Sequence, residues 1–117
     1  MTNQARQPLR EPSYFVLAAL QARPQHGYSI IQTVLELSEG RLKLAVGTLY
    51  SVLDRLAGEG YIEVTGEEIV NGRARRYYQL TDSGRTALIH EAERMAQAAS
   101  LVSRPSKSAT ANLGYAT

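Results

Sequence analysis

Three arginines, Arg73, Arg75 and Arg76, follow directly on an Asn71-Gly72 pair. Guanidinium groups at that density bind phosphates as forked donors. Asn-Gly between two runs of β-forming residues is the sequence of a tight hairpin turn. The arginines therefore belong at a hairpin tip, with Arg73 and Arg75 on one side and Arg76 on the other, because side chains alternate along a strand. The nearest acids, Glu67 and Glu68, lie on the incoming strand rather than at the tip. The tip thus reads as a phosphate or minor-groove contact, with solvated hairpin charge as the plainer alternative.

Other chemistry finds little support. The chain has no cysteine, which excludes disulfides, thiolate zinc sites and a cysteine nucleophile. Its two histidines, His26 and His90, are far apart and lack an acid at motif spacing. No glycine-rich phosphate loop occurs. The expectation is a protein without catalytic residues, metal or cofactor.

The elements that would hold the arginines are readable from periodicity. Pro12 suits the first turn of a helix, and the apolar run Tyr14 to Leu20 predicts helix one over residues 12–22. Gln25-His26 reads as a turn. Ile30, Ile31, Val34, Leu35 and Leu37 predict helix two over 27–38, with Gly40 at its C-cap. Leu49, Leu53 and Leu56 share one face of helix three, over 46–58. The period then shortens, and residues 61–80 form a two-stranded hairpin. Thr81, Asp82 and Ser83 offer an N-cap for a last helix. In that helix Leu88, Ala92, Met95, Ala99 and Val102 recur four, three, four and three apart, a coiled-coil seam. Pro105 stops it.

The domain reading follows: a flexible arm over 1–10, a folded unit over 11–81, a dimerisation helix over 82–104 and a disordered tail over 105–117. Of the 117 residues, 44% are hydrophobic, enough for a globular core, while a net charge of +2 says little about partners. Residues 1–11 are polar and have no apolar stretch of a secretory signal, and no run is long enough to span a membrane. A soluble, cytoplasmic protein with no membrane partner is expected.

Three helices followed by a hairpin with a basic tip make a mainly α fold, the winged helix-turn-helix, closed here by a dimerisation helix. In that plan helix three enters the major groove. Its apolar face is taken by Leu49, Leu53 and Leu56, which leaves Thr48, Tyr50, Ser51 and, a turn later, Arg55 near the groove. Lys43 and Arg41 precede the helix as phosphate contacts or as linker solubilisers. Tyr28 is either a phosphate contact or a core tyrosine, and His26 a cap of helix two.

Four blocks resemble the PadR-type transcriptional regulators: "PSYFVLAAL" from Pro12, "HGYSI" from His26, "GTLYSVLDRLAGEGYI" from Gly47 and "GRARRYYQLTDSG" from Gly72. The resemblance implies repression of transcription, a homodimer joined through the last helix, and a near-palindromic double-stranded DNA operator. For Tyr50 it favours a DNA-facing position over half-burial against helix two. In such regulators flat aromatic ligands can bind between subunits. Tyr14, Phe15 and Met95 are the weak candidates here for a small aromatic effector, and a place in the core explains them better. Two residues depart from the family pattern. Ser51 stands where proline is usual, and Ala45 and Val46 stand where a Ser or Thr cap is usual. Base preference cannot be carried over across those changes. The rival reading is a winged helix that has lost DNA binding and pairs with another protein.

Overall fold

The computed structural model describes residues 7–103. Its order is α1 (Glu11–Leu20), β1 (Gln25–His26), α2 (Gly27–Leu37), α3 (Val46–Gly58), β2 (Ile62–Val70), β3 (Arg73–Leu80) and α4 (Asp82–Ser103). The expected three helices, hairpin and closing helix are all present, within two residues of the predicted ends. The proposed tail over 105–117 lies outside the described residues, as do positions 1–6 of the proposed arm. Residues 7–10 have no regular structure, yet Leu9 packs on the core and its N–H donates to Glu91 Oε1 at 3.2 Å. That end of the arm is held rather than loose.

Local chemistry sets the helix ends. Pro12 sits in the first turn of α1, where an N–H would have no intrahelical partner. His26 caps α2, its ring nitrogen accepting from the Ser29 N–H. Glu39 and Gly40, both at positive φ, unwind the far end of α2. Thr81 Oγ1 accepts from the Gly84 N–H at 3.0 Å and so caps α4. Asn71 and Gly72 have φ of 53° and 77°, which is the type I′ geometry that a two-residue hairpin with right-handed twist requires.

One element was not legible. Gln25-His26 is a short strand rather than a turn, and it pairs antiparallel with β3 as Gln25↔Tyr78 and His26↔Tyr77. The hairpin thereby becomes a three-stranded sheet of order β1-β3-β2. Gln25 is buried and fully used: its side-chain N–H donates to the Ala19 carbonyl and its Oε1 accepts from Thr33 Oγ1 at 2.8 Å. A buried amide is tolerated when both ends are paired. The hairpin also carries a bulge between Val64 and Gly66, which adds local twist to the strand that leads into the wing.

The core joins every layer. Val16, Leu17 and Leu20 of α1, Ile30 and Val34 of α2, and Leu49, Val52, Leu53 and Leu56 of α3 meet Ile62, Tyr78 and Leu80 of the sheet. Truncating a fully buried leucine such as Leu53 or Leu56 to alanine costs about 2–5 kcal/mol. The first turns of α4 join this core through Ala87 and Leu88. Leu88, read in the sequence as the start of an intermolecular seam, is 4% exposed and belongs to its own subunit's core. After Glu91 no residue of α4 is buried; Met95 is 37% and Val102 77% exposed. Among the described residues, no helix is long and apolar enough to cross a membrane.

Candidate nucleic-acid interface

α3 presents its N-terminal half to solvent. Thr48, Tyr50 and Ser51 are exposed, while Leu49, Val52 and Leu53 hold the opposite face in the core. Ala45 is the N-cap and makes no side-chain hydrogen bond, so the missing Ser or Thr cap is not replaced by another side chain. The N–H groups of the first turn are thus left without a side-chain acceptor. Lys43 is exposed just before this turn. Arg41 has a structural partner, an ion pair with Glu11 at 2.7 Å, and its guanidinium lies 5.9 Å from the centre of the Phe15 ring.

An open cleft of about 740 Å³ runs between the helices and the wing. Tyr28 comes to it from α2, Tyr50 and Asp54 from α3, and Arg73, Arg75 and Arg76 from β3. Elements up to 48 residues apart in sequence therefore bring two tyrosines and three arginines to the lining of one cleft. Tyr28 is 67% exposed, which excludes the core position that the sequence had left open. Tyr50 is 45% exposed and its hydroxyl touches the backbone of Gly27. The Tyr50 ring leans on α2 and still opens to the cleft.

Arg55 takes another direction. Its guanidinium approaches Ser13 Oγ of α1 at 3.4 Å and lines a second cleft with Gln7, Arg10, Glu59 and Tyr61. Asp54, four residues after Tyr50, stands at the place on α3 that Arg55 was expected to fill. Neither cleft takes its lining from Tyr14, Phe15 or Met95. Tyr14 and Phe15 pack edge to face, their centroids 5.7 Å apart, against the core.

The wing charges are not unbalanced as the sequence suggested. The type I′ turn sets the register, and the register puts Glu68 opposite Arg75 and Glu67 opposite Arg76. Arg75 Nη1 lies 3.8 Å from Glu68 and Arg76 Nε 3.5 Å from Glu67. The Tyr77 hydroxyl also donates to Glu68, at 2.8 Å. Arg73 pairs in register with Val70 and has no carboxylate at ion-pair distance among the described residues. Acids seven and nine positions away in sequence were thus direct neighbours in space, which counting turn residues could have shown.

Beside Arg75 lies His26. Its ring meets Tyr77 edge to face at 5.3 Å. Burial first, and the Arg75 charge second, push the His26 pKa below its ordinary value, against an opposing pull from Glu68. The neutral ring is the form that can accept the Ser29 N–H through Nδ1 and meet Ser29 Oγ through Nε2 at 2.9 Å. Among the described residues no group of three His, Cys, Asp or Glu is placed to hold a metal ion.

The transcriptional regulator PadR-like family matches residues 16–90, most of the chain. The chain is 41% identical over 66 residues to "Transcriptional regulator Rv3488" of Mycobacterium tuberculosis, an alignment that covers 56% of this chain and 58% of that one. A PadR-like transcription factor from Bacteroides fragilis superposes with a TM-score of 0.67 at 29% identity, over 79% of this chain and 86% of its own. Bacillus subtilis PadR, crystallised in complex with operator DNA, superposes with a TM-score of 0.62 at 27% identity, over 71% of this chain and 47% of its own. The winged helix-turn-helix is followed in this chain by a long C-terminal helix, and its residues 16–90 carry the family's pattern. The chain belongs to the PadR-like family of transcriptional regulators.

Proposed function

We propose that this chain is a sequence-specific DNA-binding regulator that works as a homodimer and represses transcription from a near-palindromic operator. The observation that carries the reading is the one cleft whose lining Tyr28, Tyr50 and the wing arginines share. α3 enters the major groove by its exposed N-terminal half. There Thr48, Tyr50 and Ser51 reach base edges or phosphates through their hydroxyls, and the uncapped first turn and Lys43 meet the backbone. Arg73 is the principal wing contact, because Arg75 and Arg76 each have a carboxylate beside them. Arg55 serves the fold through Ser13 and is no longer among the contacts.

Dimerisation falls to α4 after Glu91. Ala92, Met95, Ala99 and Val102 make an apolar stripe that the subunit itself leaves exposed. Pairing the stripes removes them from water at roughly 25 cal/mol per Å². Two copies then present two α3 helices and two wings to one duplex. An aromatic effector, in this reading, meets Tyr14, Phe15 and Met95 only where two copies join.

The test is binding of the purified chain to the duplex upstream of its own gene across a range of salt. Arg73→Ala should weaken binding to all sequences alike and reduce the salt slope by about 1. Tyr50→Ala should weaken the preferred sequence more than others. A chain that binds no duplex even in dilute salt would overturn the reading in favour of a protein-interaction module.

A further inference from the structure

The carboxylates on β2 have no place in the contacts above, yet they sit on the groups that should bind phosphate. We propose that Glu67 and Glu68 restrain the wing's attraction for DNA, lying beside the Arg76 and Arg75 guanidinium groups in the free protein and competing with phosphate for them. The inference rests on the DNA-binding reading.

Register gives the first support. Val70↔Arg73 closes the turn, and from there Glu68↔Arg75 and Glu67↔Arg76 are directly opposite pairs on a strand ladder. Side chains opposite one another across two antiparallel strands are within reach without strain. The pairs are therefore part of the hairpin's construction. They fall on opposite faces of the ribbon, so each face offers an arginine with an acid at its side, and Arg73 alone of the three lacks one among the described residues.

Electrostatics gives the consequence. The stretch from Glu67 to Arg76 holds three arginines and two glutamates, a net of +1 where the arginines alone would give +3. Attraction to DNA of any sequence is almost wholly a matter of phosphate neutralisation. Lowering the wing's net charge weakens that general attraction at every site in a genome. The wing meets phosphates and not base edges, so the loss falls alike on every sequence.

The two acids are not equivalent. Glu68 keeps a second donor, the Tyr77 hydroxyl, when Arg75 leaves it. Glu67 lines the cleft itself, with Arg76 as its ion-pair partner among the described residues. Once Arg76 turns to a phosphate, the Glu67 carboxylate is left facing the same backbone and repels it. Glu67 therefore carries the larger share of the restraint.

The experiment uses the full chain and its Glu67→Gln/Glu68→Gln double variant. Fluorescence anisotropy would follow binding to a random-sequence duplex pool and to a duplex that the wild-type chain enriches from that pool, from about 50 to about 200 mM salt. The double variant should bind the random pool about tenfold more tightly at low salt, with a salt slope steeper by about 1 to 2. Its gain on the enriched duplex should be of the same size, because the wing meets phosphates in both. Glu67→Gln alone should give more of the effect than Glu68→Gln alone. Without any variant, the Arg76 Nε–H resonance of the wild-type chain should shift when random duplex is added. An unchanged affinity and slope, a gain confined to one of the two duplexes, or an Arg76 signal indifferent to duplex overturns the proposal while leaving DNA binding intact. A wild-type chain that binds and enriches no duplex overturns both.

Discussion

The Tyr50 hydroxyl lies against the backbone of Gly27, so closely that a β-carbon at position 27 would come within 2.6 Å of the oxygen and 3.2 Å of Cζ. The start of α2 and the exposed half of α3 therefore meet with no side chain between them, and Gly27 sets where the Tyr50 ring stands in the cleft. Gly27→Ala should move the ring rather than the backbone, because the ring is the free end of a flexible side chain. Stability should change by no more than about 1 kcal/mol. DNA affinity should drop about tenfold, or about 1.4 kcal/mol. In a Tyr50→Phe background the same alanine should do less, since the nearest clashing atom is gone. Full additivity of the two changes in a double-mutant cycle would show that Gly27 does not act through Tyr50.

A second glycine makes a harsher prediction. A β-carbon on Gly84 would run into the backbone carbonyl of Tyr61, which cannot swing aside as a ring can. That carbonyl already accepts the Thr81 N–H at 3.0 Å, so moving it would loosen the join between β3 and α4. Gly84→Ala should cost about 2–3 kcal/mol in denaturant unfolding. Gly58→Ala, where nothing lies within 4 Å, should be neutral or slightly stabilising. Equal melting of the two variants would mean that Gly84 is not tightly packed.

α4 separates two roles along one apolar stripe, and substitutions should separate them too. Met95→Asp places a charge on the exposed stretch and should convert dimer to monomer in light scattering while the far-ultraviolet helical signal persists. Leu88→Ala should instead destabilise the subunit by about 2–5 kcal/mol, because Leu88 belongs to its core. Dimers that survive Met95→Asp would place the interface off this stripe.

The same helix shows what periodicity could and could not reveal. The four-three spacing from Leu88 to Val102 marks one helical face correctly, but spacing alone does not say whether a neighbour is in the same chain. The three helices, the hairpin and its turn were legible because each rests on local chemistry: a proline in a first turn, leucines at 3.5–3.6 spacing, Asn-Gly at a type I′ bend. β1 was not legible, since two residues have no period and Gln25-His26 becomes a strand only because β3 lies beside it. Of the candidate contacts, Tyr28, Tyr50 and the three arginines line one cleft. Arg55 does not, because a residue one position away from the groove-facing row points a quarter-turn aside, toward Ser13. The acid-base pairing of the wing was available from the sequence by counting outward from the turn, as the register makes plain.

His26 ties stability to pH through the N-terminus of α2. In the unfolded chain the ring titrates near 6.5, and in the folded protein below that, because it is partly buried and faces Arg75 more effectively than Glu68 can offset. Between the two values the unfolded chain binds the additional proton. Stability is therefore complete above pH 6.5 and declines as pH falls toward the folded value. The structural event is loss of an acceptor: a proton on Nδ1 ends the bond from the Ser29 N–H and leaves the first turn of α2 uncapped. His26→Asn keeps a good capping side chain without a titrating group. The wild-type melting temperature should drop between about pH 7.5 and about pH 5.5, and the variant's should drop less over the same interval. Parallel losses in the two proteins would assign the pH dependence to other groups and leave His26 as a cap alone.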